Sequence, residues 1–94
     1  MSRLNFDSMS ALLGSKVAVF DSAENSVQLS VVSVEKSPID GDDWEGFSVL
    51  FNGDESFRIP QGSYRAVHDS FGQEEIFITA HGPTEYQTVI SRKR

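Results

Sequence analysis

Between Gly46 and Ala80 the chain reads GFSVLFNGDESFRIPQGSYRAVHDSFGQEEIFITA, a series of apolar runs broken at short intervals by turn chemistry. FSVLF meets Asn52-Gly53-Asp54, and FRI meets Pro60-Gln61-Gly62. SYRAV meets Asp69-Ser70-Phe71-Gly72, and EEIFITA follows. Glycine supplies positive φ, proline fixes φ, and Asn or Asp side chains bond their own backbone, so each break is a place for the chain to reverse. Short apolar and aromatic runs separated in this way predict consecutive antiparallel strands.

The flanking sequence extends the pattern. Lys16–Phe20 (KVAVF) predicts a first strand, closed by Asp21-Ser22-Ala23-Glu24-Asn25. Ser26–Lys36 (SVQLSVVSVEK) is the longest β run. Val27, Leu29 and Val31 alternate with Ser26, Gln28 and Ser30, and then the pattern slips by one so that Val32 and Val34 become the apolar pair. A one-residue slip reverses the faces unless an extra residue is accommodated, so a bulge or strong bend is expected near Val31-Val32. Ser37–Glu45 (SPIDGDDWE) predicts a long polar loop, because Pro38 disfavours a central strand and Asp40-Gly41 is a turn signal. Phe47–Phe51, Phe57–Ile59, Ser63–His68, Glu75–Ala80 and Glu85–Ser91 complete the strands.

Near the N-terminus, FDSMSALL (6–13) predicts one short helix over about residues 7–13. Asp7 or Ser8 is the expected cap and Gly14 the left-handed C-terminal residue. Phe6, Met9, Leu12 and Leu13 share one face. Two turns do not hold alone, so the helix is expected to dock on one end or face of the sheet rather than wait exposed for a partner. The expected architecture is all-β: about seven antiparallel strands in a small bent sandwich or partly open barrel, with this one helix. Residues 1–94 are read as a single domain, with a frayed basic tail at 92–94.

Composition narrows the function classes. The absence of cysteine removes disulfides, thiolate metal sites and cysteine nucleophiles. No segment approaches a membrane-spanning run, and Ala11-Leu12-Leu13 is too short for a signal-peptide core, so a cytoplasmic protein is expected. The net charge of −6 is concentrated: Glu35, Asp40, Asp42, Asp43, Glu45, Asp54 and Glu55 face Lys36 alone in residues 35–55. Without a basic stripe interleaved with aromatics, nucleic acid is not an expected partner.

The string from Leu12-Leu13-Gly14 through the Phe47–Phe51 strand, Gln61-Gly62-Ser63-Tyr64, His68, Gly72, Phe77-Ile78 and Tyr86 resembles a family of small bacterial domains of unknown function. The resemblance spans nearly the whole chain and rests on the order of individually weak motifs. Some relatives are associated with phage-tail-like or surface structures, which implies an accessory or structural role. Ala80-His81-Gly82-Pro83 departs from the pattern, where a more apolar end is expected. The resemblance implies no catalytic residues.

Candidate chemistry is sparse. His68 and His81 have Asp69 and Glu85 nearby, but neither has a second ligand at metal-binding spacing, so they are read as local hydrogen-bonding groups and no cofactor or metal is expected. Ser63 follows Gly62 in a turn and lacks a nucleophile elbow. The protein is therefore expected not to be an enzyme. The most distinctive polar feature is Asp40, Asp42, Asp43, Trp44 and Glu45, read as a recognition loop for a basic partner with Trp44 as anchor. The alternative is a solvated loop with Trp44 folded onto the sheet. Several strands also carry bulky residues on both faces, which suggests an interface elsewhere, with another protein or a second copy. The expected function is an interaction or structural module; the alternative is a small acidic inhibitor-like protein acting through the 40–45 loop.

Overall fold

A computed structural model describes residues 4–93. One short helix, α1 (Phe6–Ser10), precedes six strands: β1 (Lys16–Phe20), β2 (Ser26–Lys36), β3 (Trp44–Asn52), β4 (Gly62–His68), β5 (Gly72–Ala80) and β6 (Glu85–Lys93). Every neighbouring pair is antiparallel, and the order β1-β2-β3-β6-β5-β4 closes on itself as a barrel. The all-β expectation holds, and the sheet closes rather than remaining partly open.

Six strands form where about seven were expected, because Phe57–Ile59 joins no ladder. Its hydrogen bonding goes elsewhere. The Ile59 N–H donates to the Tyr86 hydroxyl at 3.2 Å, and the Tyr64 hydroxyl donates to the Pro60 carbonyl. Three residues ending at a proline offer a neighbouring strand little to pair with, whereas two tyrosines reaching from the wall satisfy the backbone locally.

Strand phase decides what is inside. Phe47, Val49 and Phe51 on β3, Tyr86 and Thr88 on β6, Ile76 and Ile78 on β5, and Tyr64 and Ala66 on β4 are buried and face inward. The slip in β2 is resolved as foreseen. The register against β3 shifts between Val31 and Ser33, leaving Val32 as the extra residue, so Leu29, Val31 and Val34 stay on the core side. The segment after the helix secures the bulge: Gly14 N–H donates to Val31 O, and Val31 N–H donates to Ser15 O, both at 2.9 Å. Gly14 takes φ +84° there, as expected for a left-handed residue.

The helix is shorter than residues 7–13 and is capped two or three positions earlier than expected. Asn5 is the N-cap: its Oδ1 accepts the Ser8 N–H at 2.8 Å, while Ser8 Oγ accepts the Asn5 N–H at 2.9 Å. Leu4, Met9 and Leu12 are buried in the barrel core, so the helix docks instead of standing exposed. The C-terminus also differs from the expected frayed tail. Arg92 and Lys93 pair with Glu45 and Trp44 in the β3–β6 ladder, and Arg94 lies outside the described residues.

Candidate functional site

The acidic segment is not a single loop. Trp44 and Glu45 begin β3 instead of ending the connection, because β6 is long enough to pair with them. Inward and outward positions then alternate. Glu45 has the phase of Phe47 and Val49, and its carboxylate closes one end of the barrel, 2.6 Å from the Arg92 guanidinium. Arg92 also donates to the Leu4 carbonyl, tying the N-terminal segment to the wall. Glu45 is thus committed to structure.

Asp40 is similarly engaged. Its Oδ1 accepts the Gly46 N–H at 3.2 Å, and its Oδ2 lies 3.9 Å from Lys36 Nζ. These contacts fold the connection back over the start of β3, where Ile39 and Ser37 cover Gly46. A Cβ on Gly46 would lie 2.3 Å from Ser37 Oγ and 2.7 Å from Ile39 Cγ1, which is why glycine occupies this position. Of the five residues expected to bind a partner, Asp42, Asp43 and Trp44 remain on the outer surface, with Trp44 45 % exposed.

A second surface feature lies on the same side of the wall. Val32 (56 % exposed), Leu50 (38 %), Val89 (60 %) and Phe77 (52 %) occupy four adjacent strands, β2, β3, β6 and β5. The register brings them together. Leu50 is opposite Ser33, next to Val32, and opposite Gln87, two residues from Val89. The β5–β6 ladder runs through Ile78↔Thr88, and its next step places Phe77 beside Val89. On β3, Trp44 and Leu50 share the outward phase, and Ile39, itself exposed, covers Gly46 between them, so the loop end and the apolar stripe meet on one side across Ile39. The sequence named the two-faced strands without locating them relative to the loop; that required the strand order.

Around this face the charges are mainly acidic. Glu35 is opposite Ser48, Glu85 opposite Asn52 and Glu75 opposite Arg65, and all three carboxylates are exposed. Lys93 stands opposite Trp44. Arg65 is held by Glu24 at 2.8 Å and lies over the Phe20 ring.

The remaining polar groups have local roles. His68 Nδ1 accepts the Ser70 N–H at 3.0 Å, and His81 Nε2 is 2.9 Å from Thr79 Oγ1. An open cleft of about 430 Å³ lies beside the β1–β2 turn, lined by Phe20, Asp21, Tyr64, Arg65 and Glu75 among others. Burial raises the Tyr64 phenol above its ordinary value of 10.0, and the charges of Asp21 and Tyr86 act in the same direction. Among the described residues no helix is long and apolar enough to cross a membrane.

Compared with known proteins, residues 4–90 match the family model described as "Domain of unknown function (DUF6916)". No curated protein and no solved structure matches the chain.

Proposed function

The chain belongs to the DUF6916 family, whose function is unknown, and from that premise we propose that it is a non-enzymatic interaction module that docks a partner protein on the outer face of β2, β3, β6 and β5. One observation carries this reading: Val32, Leu50, Val89 and Phe77 are exposed side by side on consecutive strands, although the same strands fill a complete core on their other face. Single exposed apolar residues are ordinary, but a contiguous group on a small domain marks a contact surface. The resemblance implies an accessory of a larger assembly, phage-like or at the cell surface, and the setting proposed for it is the cytoplasm. A face of this kind suits such lasting cover.

The test is stoichiometric co-purification of the tagged protein from its native host, comparing wild type with Phe77→Glu and Val89→Glu. Both positions are exposed, so the barrel should fold normally by circular dichroism. The reading expects a partner that survives moderate salt and is lost in both variants. Retention of the same partner by both variants would sink it.

A second reading has its own support. Asp42 and Asp43 are exposed beside the outward-facing Trp44, which suits a basic ligand gripped at that end alone. It expects binding that disappears in high salt and in Asp42→Asn/Asp43→Asn, with no effect of Phe77→Glu.

A further inference from the structure

We infer that the partner of this face is a protein whose contact surface is apolar at its centre and basic at its rim. The inference rests on the docking face proposed above and names the chemistry of its occupant. From Trp44 to Leu50 the face runs six residues along β3, roughly 20 Å at about 3.3 Å per residue, and four strands span roughly 14 Å across. That is about 300 Å², whereas a stable protein complex covers about 800 Å² on each side. The apolar stripe is therefore the centre of the contact, and the surrounding surface must supply the rest.

That surrounding surface is acidic. Asp42 and Asp43 border Trp44, Glu35 flanks β3, Glu85 stands at its far end, and Glu75 borders Phe77 along β5. Two cations stand by this rim: Lys36, whose Nζ lies 3.9 Å from Asp40 Oδ2, and Lys93, opposite Trp44 in the ladder, so the carboxylates outnumber them. Like charges brought together across a contact oppose binding, so the occupant must bring Lys or Arg to these positions.

The same charges argue against other occupants. A second copy would set these carboxylates against themselves, each chain carrying a net charge of −6. An anionic membrane leaflet and a nucleic-acid backbone are negative as well. A basic protein surface with one or more apolar anchors complements both the centre and the edge. Trp44 and Phe77, near opposite limits of the face, are the aromatic positions where anchoring would concentrate.

The test replaces Phe77 with the photo-cross-linker p-benzoylphenylalanine in the full-length protein, irradiates intact native-host cells, and maps the cross-linked peptide. The captured protein is then purified and titrated with wild type and with Glu35→Gln/Asp42→Asn/Asp43→Asn at two salt concentrations. The inference expects a cross-link to a segment flanked by Lys or Arg. It also expects the triple variant to bind roughly tenfold more weakly, with a flatter salt dependence. A cross-link to a second copy of this chain, to a segment without basic residues, or to a partner indifferent to the triple variant would overturn the basic-rim assignment while leaving the docking face intact. No cross-link from position 77, in a variant that circular dichroism shows to be folded, would overturn both.

Discussion

Replacing Tyr86 with phenylalanine isolates a single hydrogen bond that accounts for the odd behaviour of residues 57–60. The Tyr86 ring is wholly buried, and its hydroxyl accepts the Ile59 N–H at 3.2 Å. Tyr86→Phe keeps the ring and removes one oxygen, so the apolar packing barely changes. Ile59 then loses its acceptor. An orphaned buried donor costs about 1–3 kcal/mol. Ile59 is only half-buried, and water reaches part of the space, so the expected loss is near the lower limit, about 1 kcal/mol. In a domain this small that lowers the thermal midpoint by about 4–8 °C. With a urea slope of about 1–2 kcal/mol per molar, the denaturation midpoint moves by about 0.5–1 M.

Urea denaturation measures the global effect, and amide hydrogen exchange at Ile59 measures the local one. The Ile59 amide should lose protection well beyond the global change, while amides in the nine-pair β3–β6 ladder follow global stability alone. Tyr64→Phe removes the donor to the Pro60 carbonyl on the same segment. The two substitutions act on one short stretch and should not add independently. An Ile59 amide as well protected in Tyr86→Phe as in wild type would refute the claim that tyrosine hydroxyls replace a strand partner here.

Two further predictions concern charge. Arg92→Ala removes both the Glu45 ion pair and the bond to the Leu4 carbonyl, leaving a largely buried carboxylate without its partner. It should destabilise the fold by about 2 kcal/mol in urea denaturation, with amide protection lost first at residues 4–10. Asp54 should titrate below its ordinary value of 3.8 by NMR, because the Ser56 backbone N–H, 2.8 Å from its Oδ1, and the Ser56 hydroxyl both favour the carboxylate. A depressed carboxyl adds stability that is present above the unfolded value and lost as pH falls through the folded one, so the contribution should fade only below 3.8.

What could be read from the sequence was local, and what could not was set by residues far apart in the chain. The slip at Val31-Val32 announced the bulge because β alternation has a period of two, and any break in it must be absorbed on the spot. The turn at Asp21–Asn25 was equally legible. Asp21 Oδ1 accepts the N–H groups of Ala23 and Asn25 at 2.9 Å, using only neighbours in sequence. Phe57–Ile59 was misread because its backbone partner is a side chain 27 positions away. The helix cap shifted to Asn5 because Asn, Asp and Ser all cap well, and FDSMS offers no local reason to prefer one.

The acidic segment shows the same division most sharply. In composition, Asp40, Asp42, Asp43 and Glu45 are one cluster, and a cluster invites one function. Strand phase takes Glu45 out of it, while Asp40, Asp42 and Asp43 precede β3. Once Trp44 is fixed as an outward residue of β3, Glu45 must point toward the barrel, where a lone carboxylate would be costly to bury. Arg92, at the matching position of β6, supplies the counter-charge, so the pairing follows from the β3–β6 register rather than from the acidic run. Asp40 is drawn in by the Gly46 amide that its own turn presents. The same parity turns Trp44 outward along with Leu50, joining the exposed end of the acidic segment to the apolar stripe as one surface. Which side chains are left on the surface for a partner thus depends here on strand phase at the start of β3. Neutralising Asp42 and Asp43 should therefore change association and leave folding alone, whereas neutralising Glu45 should do the reverse.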